Sequence, residues 1–103
     1  GPKSVQAHLG LGNFLWAANR RDEAVKAFDQ ALALDPKNAL ANRLMAVFHA
    51  SGPTPEKAEP FFKALADMPE NTEGRLALAE YYLRLGKKEE GKKTLLAAAS
   101  EKA

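Results

Sequence analysis

Small and bulky apolar residues recur in this chain at a spacing of 34 and then 33 residues, and that recurrence restricts its fold more than any other feature. Gly12, Ala24 and Phe28 are followed 34 residues on by Ala46, Ala58 and Phe62, and 33 further by Ala79, Gly91 and Leu95. Phe14, Phe48 and Tyr81 keep a further, aromatic register at the same spacing. A period of this length marks a repeated supersecondary unit, because one unit cannot bury its own apolar face and neighbours must stack on it. Three copies, about 5–38, 39–71 and 72–103, fill the chain as a single domain. Gly1-Pro2 reads as the remnant of a cleaved tag.

Within each copy the pattern is helical. The first helix is expected from Lys3 or Ser4 to Ala18, with Asn19-Arg20-Arg21 as the turn. Asp22-Glu23 then puts acid at the positive end of the next helix dipole. That second helix carries Ala24, Val25, Phe28, Ala31, Leu32 and Leu34 at helical spacing. It ends near Asp35, since Pro36 disfavours helix in the residue before it. A third helix spans about Asn38 to Ser51 and stops at Gly52-Pro53-Thr54-Pro55. Thr54 is a candidate cap with Pro55 in the first turn, and Pro60 demands a kink or a late start near Glu59. A fifth helix covers about Thr72 to Leu85, closed by Gly86 in the left-handed conformation, and the last runs from Lys87 towards Ser100. Six helices, short polar turns and no strand signal give an all-α solenoid of three helical hairpins.

Leu11-Gly12, Leu15, Ala24, Phe28, Ala31 and Pro36 resemble the signature of the tetratricopeptide repeat (TPR) family. The third copy is similar (Leu78-Ala79, Tyr82, Gly86, Gly91, Leu95, Ala98) and the second is degenerate, with His49 and Leu65 at family positions and Met68-Pro69 closing it one residue early. The resemblance implies a right-handed superhelix of helix-turn-helix hairpins that binds protein segments without catalysis. Gly12, Ala46 and Ala79 would allow close helix approach, and Phe28, Phe62 and Leu95 would fill the space between hairpins. The Leu-Gly, Tyr-Tyr and Leu-Gly-Lys phrases look like bacterial members found in envelope, secretion and polysaccharide-export systems.

The first helix of each copy is apolar on two faces. Leu11 and Leu15 mark one; Leu9, Asn13 and Trp16 form another, about 200° away at the ~100° per residue of an α-helix. Leu40, Arg43 and Val47 repeat this on the third helix, and Leu76, Glu80 and Leu83 on the fifth. By the resemblance, this second stripe lines a concave groove containing Gln6, Leu9, Asn13, Trp16, Leu40, Arg43, Val47, Glu73, Leu76, Glu80, Leu83 and Arg84. An apolar floor with charges of both signs suits a protein or peptide segment with apolar anchors. Leu9, Trp16, Val47, Leu76 and Leu83 would hold the anchors, and Asn13, Arg43, Glu80 and Arg84 would fix the register. Trp16 stands open between this role and core packing. Family members that clamp a C-terminal carboxylate use lysine, asparagine and arginine here. Only Asn13 matches, while Leu9, Leu44, Glu73 and Ala77 do not.

Other chemistries find little support. Fifteen basic and thirteen acidic residues are interleaved for a net charge of +2, so no field that gathers nucleic acid is expected. No apolar run reaches the ~20 residues of a membrane span. Without cysteine, and with His8 and His49 in different hairpins, no metal or other cofactor is implied. Asp22-Glu23 and Glu89-Glu90 read as helix-dipole partners and not as an acid/base pair, so no enzyme is expected. The compartment stays open. The competing structural class is a spacer or self-assembling segment of a longer solenoid. Leu95 and Leu96, with no helix after them to cover the last hairpin, predict a weak homodimer or a further repeat over that face.

Overall fold

The computed structural model describes residues 4–100, so Gly1-Pro2 and the Lys3 start lie outside the described residues. Among these the chain is all-α, with α1 Val5–Ala17, α2 Arg21–Leu34, α3 Ala39–Ala50, α4 Glu59–Ala66, α5 Thr72–Arg84 and α6 Lys88–Ala99. A 3-10 turn, Pro55–Ala58, precedes α4, whose first turn holds Pro60. Pro60 therefore removes no interior helical bond, because its missing N–H is one that a first turn leaves unused. The helices form two compact units, Gly1–Met45 and Ala46–Ala103, with the division inside α3.

Polar side chains set the helix starts. Ser4 accepts from the Ala7 amide at 3.2 Å, Asn38 from the Ala41 amide at 2.8 Å, and Asn71 from the Gly74 amide at 3.1 Å. Each occupies an amide that the first turn of a helix cannot pair internally. Thr54, the candidate cap, precedes the 3-10 turn without a side-chain cap bond. The turns inside the first and third hairpins place Asn19 and Gly86, which occupy equivalent repeat positions, at φ of 63° and 81°. Glycine reaches that region without strain, and asparagine more readily than most residues.

In the first unit α1 and α2 form a hairpin around Phe28, which is fully buried with Ala24 and Ala31. Gly12 faces its ring so closely that a Cβ there would lie 2.6 Å from Phe28 Cδ1. Trp16 meets the same ring edge-on, 6.2 Å between centroids. Asn42, a buried polar residue, donates from Nδ2 to the carbonyls of Pro36 at 3.0 Å and Asn38 at 2.9 Å. That satisfies an amide which burial would otherwise penalise.

In the second unit Ala58, Ala66, Leu78, Tyr81 and Tyr82 form the core, with Ala50, Phe62 and Leu85 packed at its edge. Phe62 of α4 lies 4.8 Å from Tyr81 of α5, while Leu83 of α5 lies over Gly91 of α6. Two phenols tie α5 to the segment before it. Tyr81 donates to the Pro55 carbonyl at 2.7 Å, and Tyr82 to Glu59 Oε2 at 2.7 Å, an oxygen 3.4 Å from Lys63 Nζ.

This pairing makes stability depend on pH at both ends. The bond from Tyr82 holds the Glu59 carboxyl below its ordinary 4.5, against the opposing effect of burial. Burial first, and then the bond to Glu59, push Tyr82 from 10.0 up to about 12. A lowered carboxylate stabilises the fold above its unfolded value, and the contribution is lost as pH falls through the folded one. A raised phenol does the converse: its contribution is full below 10.0 and lost as pH climbs towards about 12. Tyr82→Phe should therefore lower the urea midpoint at neutral pH, with the gap from wild type closing in acid and above pH 10. A gap independent of pH would count against this account.

One expectation for α1 is corrected. Leu11, expected where the two helices of the hairpin touch, is 50% exposed. Phe14 keeps its aromatic register but is 66% exposed, although its counterparts Phe48 and Tyr81 are buried. The buried side of α1 runs from Leu15 over Gly12 and Trp16 to Leu9, an arc of roughly 120° at the spacing of an α-helix. Leu11 and Phe14 lie beyond its edge.

Candidate functional site

The residues of the expected binding stripe are best followed unit by unit. In the first, α1 presents Asn13 to solvent and α3 presents Leu40 and Arg43. Trp16 is half-buried against Phe28, so its ring is largely committed to the hairpin. Leu9 is 3% exposed and leaves the stripe. The reason is angular: Leu9 lies about 60° from Gly12 on the helix circumference, within the arc that α1 buries.

In the second unit Val47 on α3 and Leu76, Glu80, Leu83 and Arg84 on α5 are all exposed to solvent. Large aliphatic side chains exposed singly are ordinary. Here Leu76, Glu80, Leu83 and Arg84 recur every three or four residues, so they share one side of α5. Beside them lies a depression of about 90 Å³, lined by Ala50, Phe62, Ala77, Glu80, Tyr81 and Arg84. Ala50 and Ala77 leave room that longer side chains would take up, and the rings of Phe62 and Tyr81 supply an apolar wall. Glu80 and Arg84, one helical turn apart, bring opposite charges to it. Binding sites for whole small molecules measure ~300–1,000 Å³, so this depression is scaled to a single side chain.

Of the expected residues, Glu80 and Arg84 thus line one cavity, and Leu76 and Leu83 share their helix. The sequence reading does not assign Ala50, Phe62, Ala77 and Tyr81 to such a site. A signal for two of them exists: Ala77 and Tyr81 each lie about one helical turn before a charged residue of the stripe, Glu80 and Arg84, and so neighbour it on the helix surface. The histidines are placed by packing: His49 stacks on Phe61 at 5.6 Å between ring centroids and meets Phe48 edge-on at 5.2 Å, and His8 is half-buried on α1. Among the described residues no helix is long and apolar enough to cross a membrane.

The helical hairpins and their period agree with a family match: the sequence profile of the tetratricopeptide repeat fits residues 9–73, more than half of the chain. The chain belongs to the tetratricopeptide repeat family. TPR units are non-catalytic repeats of helical hairpins that stack into solenoids and serve as protein-interaction scaffolds. The chain is also similar to the probable UDP-N-acetylglucosamine–peptide N-acetylglucosaminyltransferase SPINDLY of Arabidopsis thaliana, at 39% identity over 64 residues. That match covers 61% of this chain but 7% of the plant protein, so the transferase activity in the relative's name is not transferred to this chain. Neither match supports the bacterial resemblance of its short phrases.

Proposed function

We propose that this TPR chain is a non-catalytic module that binds a protein segment through the exposed side of α5, with one apolar anchor of the partner in the depression there. The observation that carries this reading is the depression itself: an apolar wall of Phe62 and Tyr81, two alanines, and Glu80 and Arg84 of opposite charge, in a volume that fits one side chain. An aliphatic or aromatic anchor would bury its surface there, worth roughly 1.5–3 kcal/mol for a complete side chain. Glu80 and Arg84 would then orient the flanking backbone or charged groups. Val47, Leu76 and Leu83 of the same unit extend the contact along the segment. The acidic pairs support the non-enzymatic reading. Asp22-Glu23 and Glu89-Glu90 lie in the first turns of α2 and α6, where they face helix dipoles.

The test is selection of binding peptides from a random display library, followed by titration of a selected peptide against variants. Ala77→Leu fills the depression and Arg84→Glu reverses one charge. Each should weaken binding by roughly tenfold or more, the cost of losing a good anchor, while circular dichroism and melting stay close to wild type. Peptides that bind both variants as tightly as the wild type would place the contact elsewhere.

A further inference from the structure

The three copies allow each helix face to be compared with its counterparts, and one face is out of step. Ala7, Leu11 and Phe14 on α1 correspond to Ala41, Met45 and Phe48, and then to Gly74, Leu78 and Tyr81. All six counterparts are buried, whereas Ala7, Leu11 and Phe14 are exposed, the last at 66%. The second unit shows what such a face receives. Leu78 and Tyr81 of α5 are covered by α4, with Ala58, Phe62 and Ala66 in the same core. The residues of α6 that correspond to Ala58, Phe62 and Ala66 are Gly91, Leu95 and Ala99. Leu95 is 39% exposed and Ala99 is exposed as well.

The chain therefore displays, on α1 and α6, the two halves of a contact that it already makes between α5 and α4. We propose that these halves meet between two copies, α6 of one molecule lying on α1 of the next, with Leu95 and Ala99 against Leu11 and Phe14. The occupant is a second copy because its α6 displays Leu95 and Ala99, the counterparts of Phe62 and Ala66 on the helix that covers α5, while Gly91 is already packed under Leu83. The acceptor row of Ala7, Leu11 and Phe14 carries no charge that would have to be desolvated. Such an interface is heterologous. One patch binds a different patch, so each added molecule leaves a free α1 at one end and a free α6 at the other. This contact uses α1 and α6, whereas the depression proposed for the peptide anchor is lined from α3, α4 and α5.

Sedimentation velocity over a dilution series to about 1 mM, the range where small interfaces associate, tests it. The wild-type chain should show a mass that rises with concentration and passes beyond a dimer. Phe14→Glu removes the acceptor and Leu95→Glu the donor, and each alone should remain monomeric. Their equimolar mixture should form a 1:1 dimer and grow no further, because the mixture keeps one intact α1 and one intact α6. Ala99→Glu serves in place of Leu95→Glu if the latter alters the circular dichroism spectrum. A monomeric wild type, a Leu95→Glu variant that dimerises as wild type does, or a mixture that stays monomeric would each overturn the proposal.

Discussion

Replacing Phe28 with alanine should lower the stability of the first unit by about 3–5 kcal/mol, the cost of a large-to-small change at a buried aromatic. The side chain is fully buried, and its contacts are specific. Gly12 lies against the ring, and Trp16 meets it edge-on at 6.2 Å. Removing the ring leaves space that neither can close, since glycine has no side chain and the Trp16 backbone is fixed in α1. Domains of this size are stable by only about 5–15 kcal/mol, so one residue accounts for a large share. The urea midpoint should fall accordingly, measured beside Gln30→Ala, a control on the exposed face of the same helix that should change little. Gly12→Val should destabilise the wild type by overpacking but be better tolerated when Phe28 is alanine, because the two changes share one volume. Additive effects of the pair, or a loss below about 1 kcal/mol for Phe28→Ala, would show that the ring is not the centre of the hairpin.

The residues around Phe28 also show how much of the fold was legible. Its spacing from Gly12 and Ala24, repeated at 34 and 33 residues, is a local signal that survives stacking, because hairpins of one design meet through the same positions. The helix ends were legible where a single residue decides them: Gly86 at positive φ, Pro60 in a first turn. The face of α1 was less so. Leu9 and Leu11 are both leucine, and the amphipathic pattern cannot rank two apolar arcs on a helix that is apolar over most of its circumference. Packing makes that choice, and it buries Leu9 and exposes Leu11. The candidate site was half legible for a related reason. Glu80 and Arg84 stand out as charged residues on a helix face, whereas the room beside them depends on the small size of Ala50 and Ala77 and on a neighbour from another helix, Phe62.

Gly74 escaped the sequence reading altogether, and it carries the second large effect. Gly74→Ala should destabilise the second unit by roughly 2–4 kcal/mol, combining overpacking with damage to a helix cap. A Cβ there would stand 2.6 Å from the Leu65 carbonyl oxygen, 2.8 Å from its carbon and 2.6 Å from Asn71 Nδ2. The carbonyl belongs to the backbone of α4, so relief requires α5 to draw back. That movement would stretch the 2.8 Å bond from Asn71 Nδ2 to the same carbonyl and disturb the bond from the Gly74 amide to Asn71 Oδ1. The Leu65 carbonyl keeps its bond from the Met68 amide at 3.2 Å, so the loss there is that of the Asn71 bond alone. Against this stands the ~0.5–1 kcal/mol that alanine gains over glycine inside a helix. Gly10→Ala isolates that gain: nothing lies within 4 Å of a Cβ at Gly10, so the variant should be more stable than wild type by about that amount. The equivalent of Gly74 in the preceding copy is already alanine, Ala41, and it is fully buried without harm. There α2 continues to Leu34, and Asn38 Nδ2 donates to Asp35 Oδ2 at 3.3 Å. Before the last copy α4 stops at Ala66, the counterpart of Leu32, and Asn71 folds back onto the Leu65 carbonyl. That shorter helix brings backbone against backbone, which leaves no room for a methyl group. Urea unfolding of the two alanine variants should move in opposite directions, and a Gly74→Ala protein as stable as wild type would mean that α4 and α5 separate without loss.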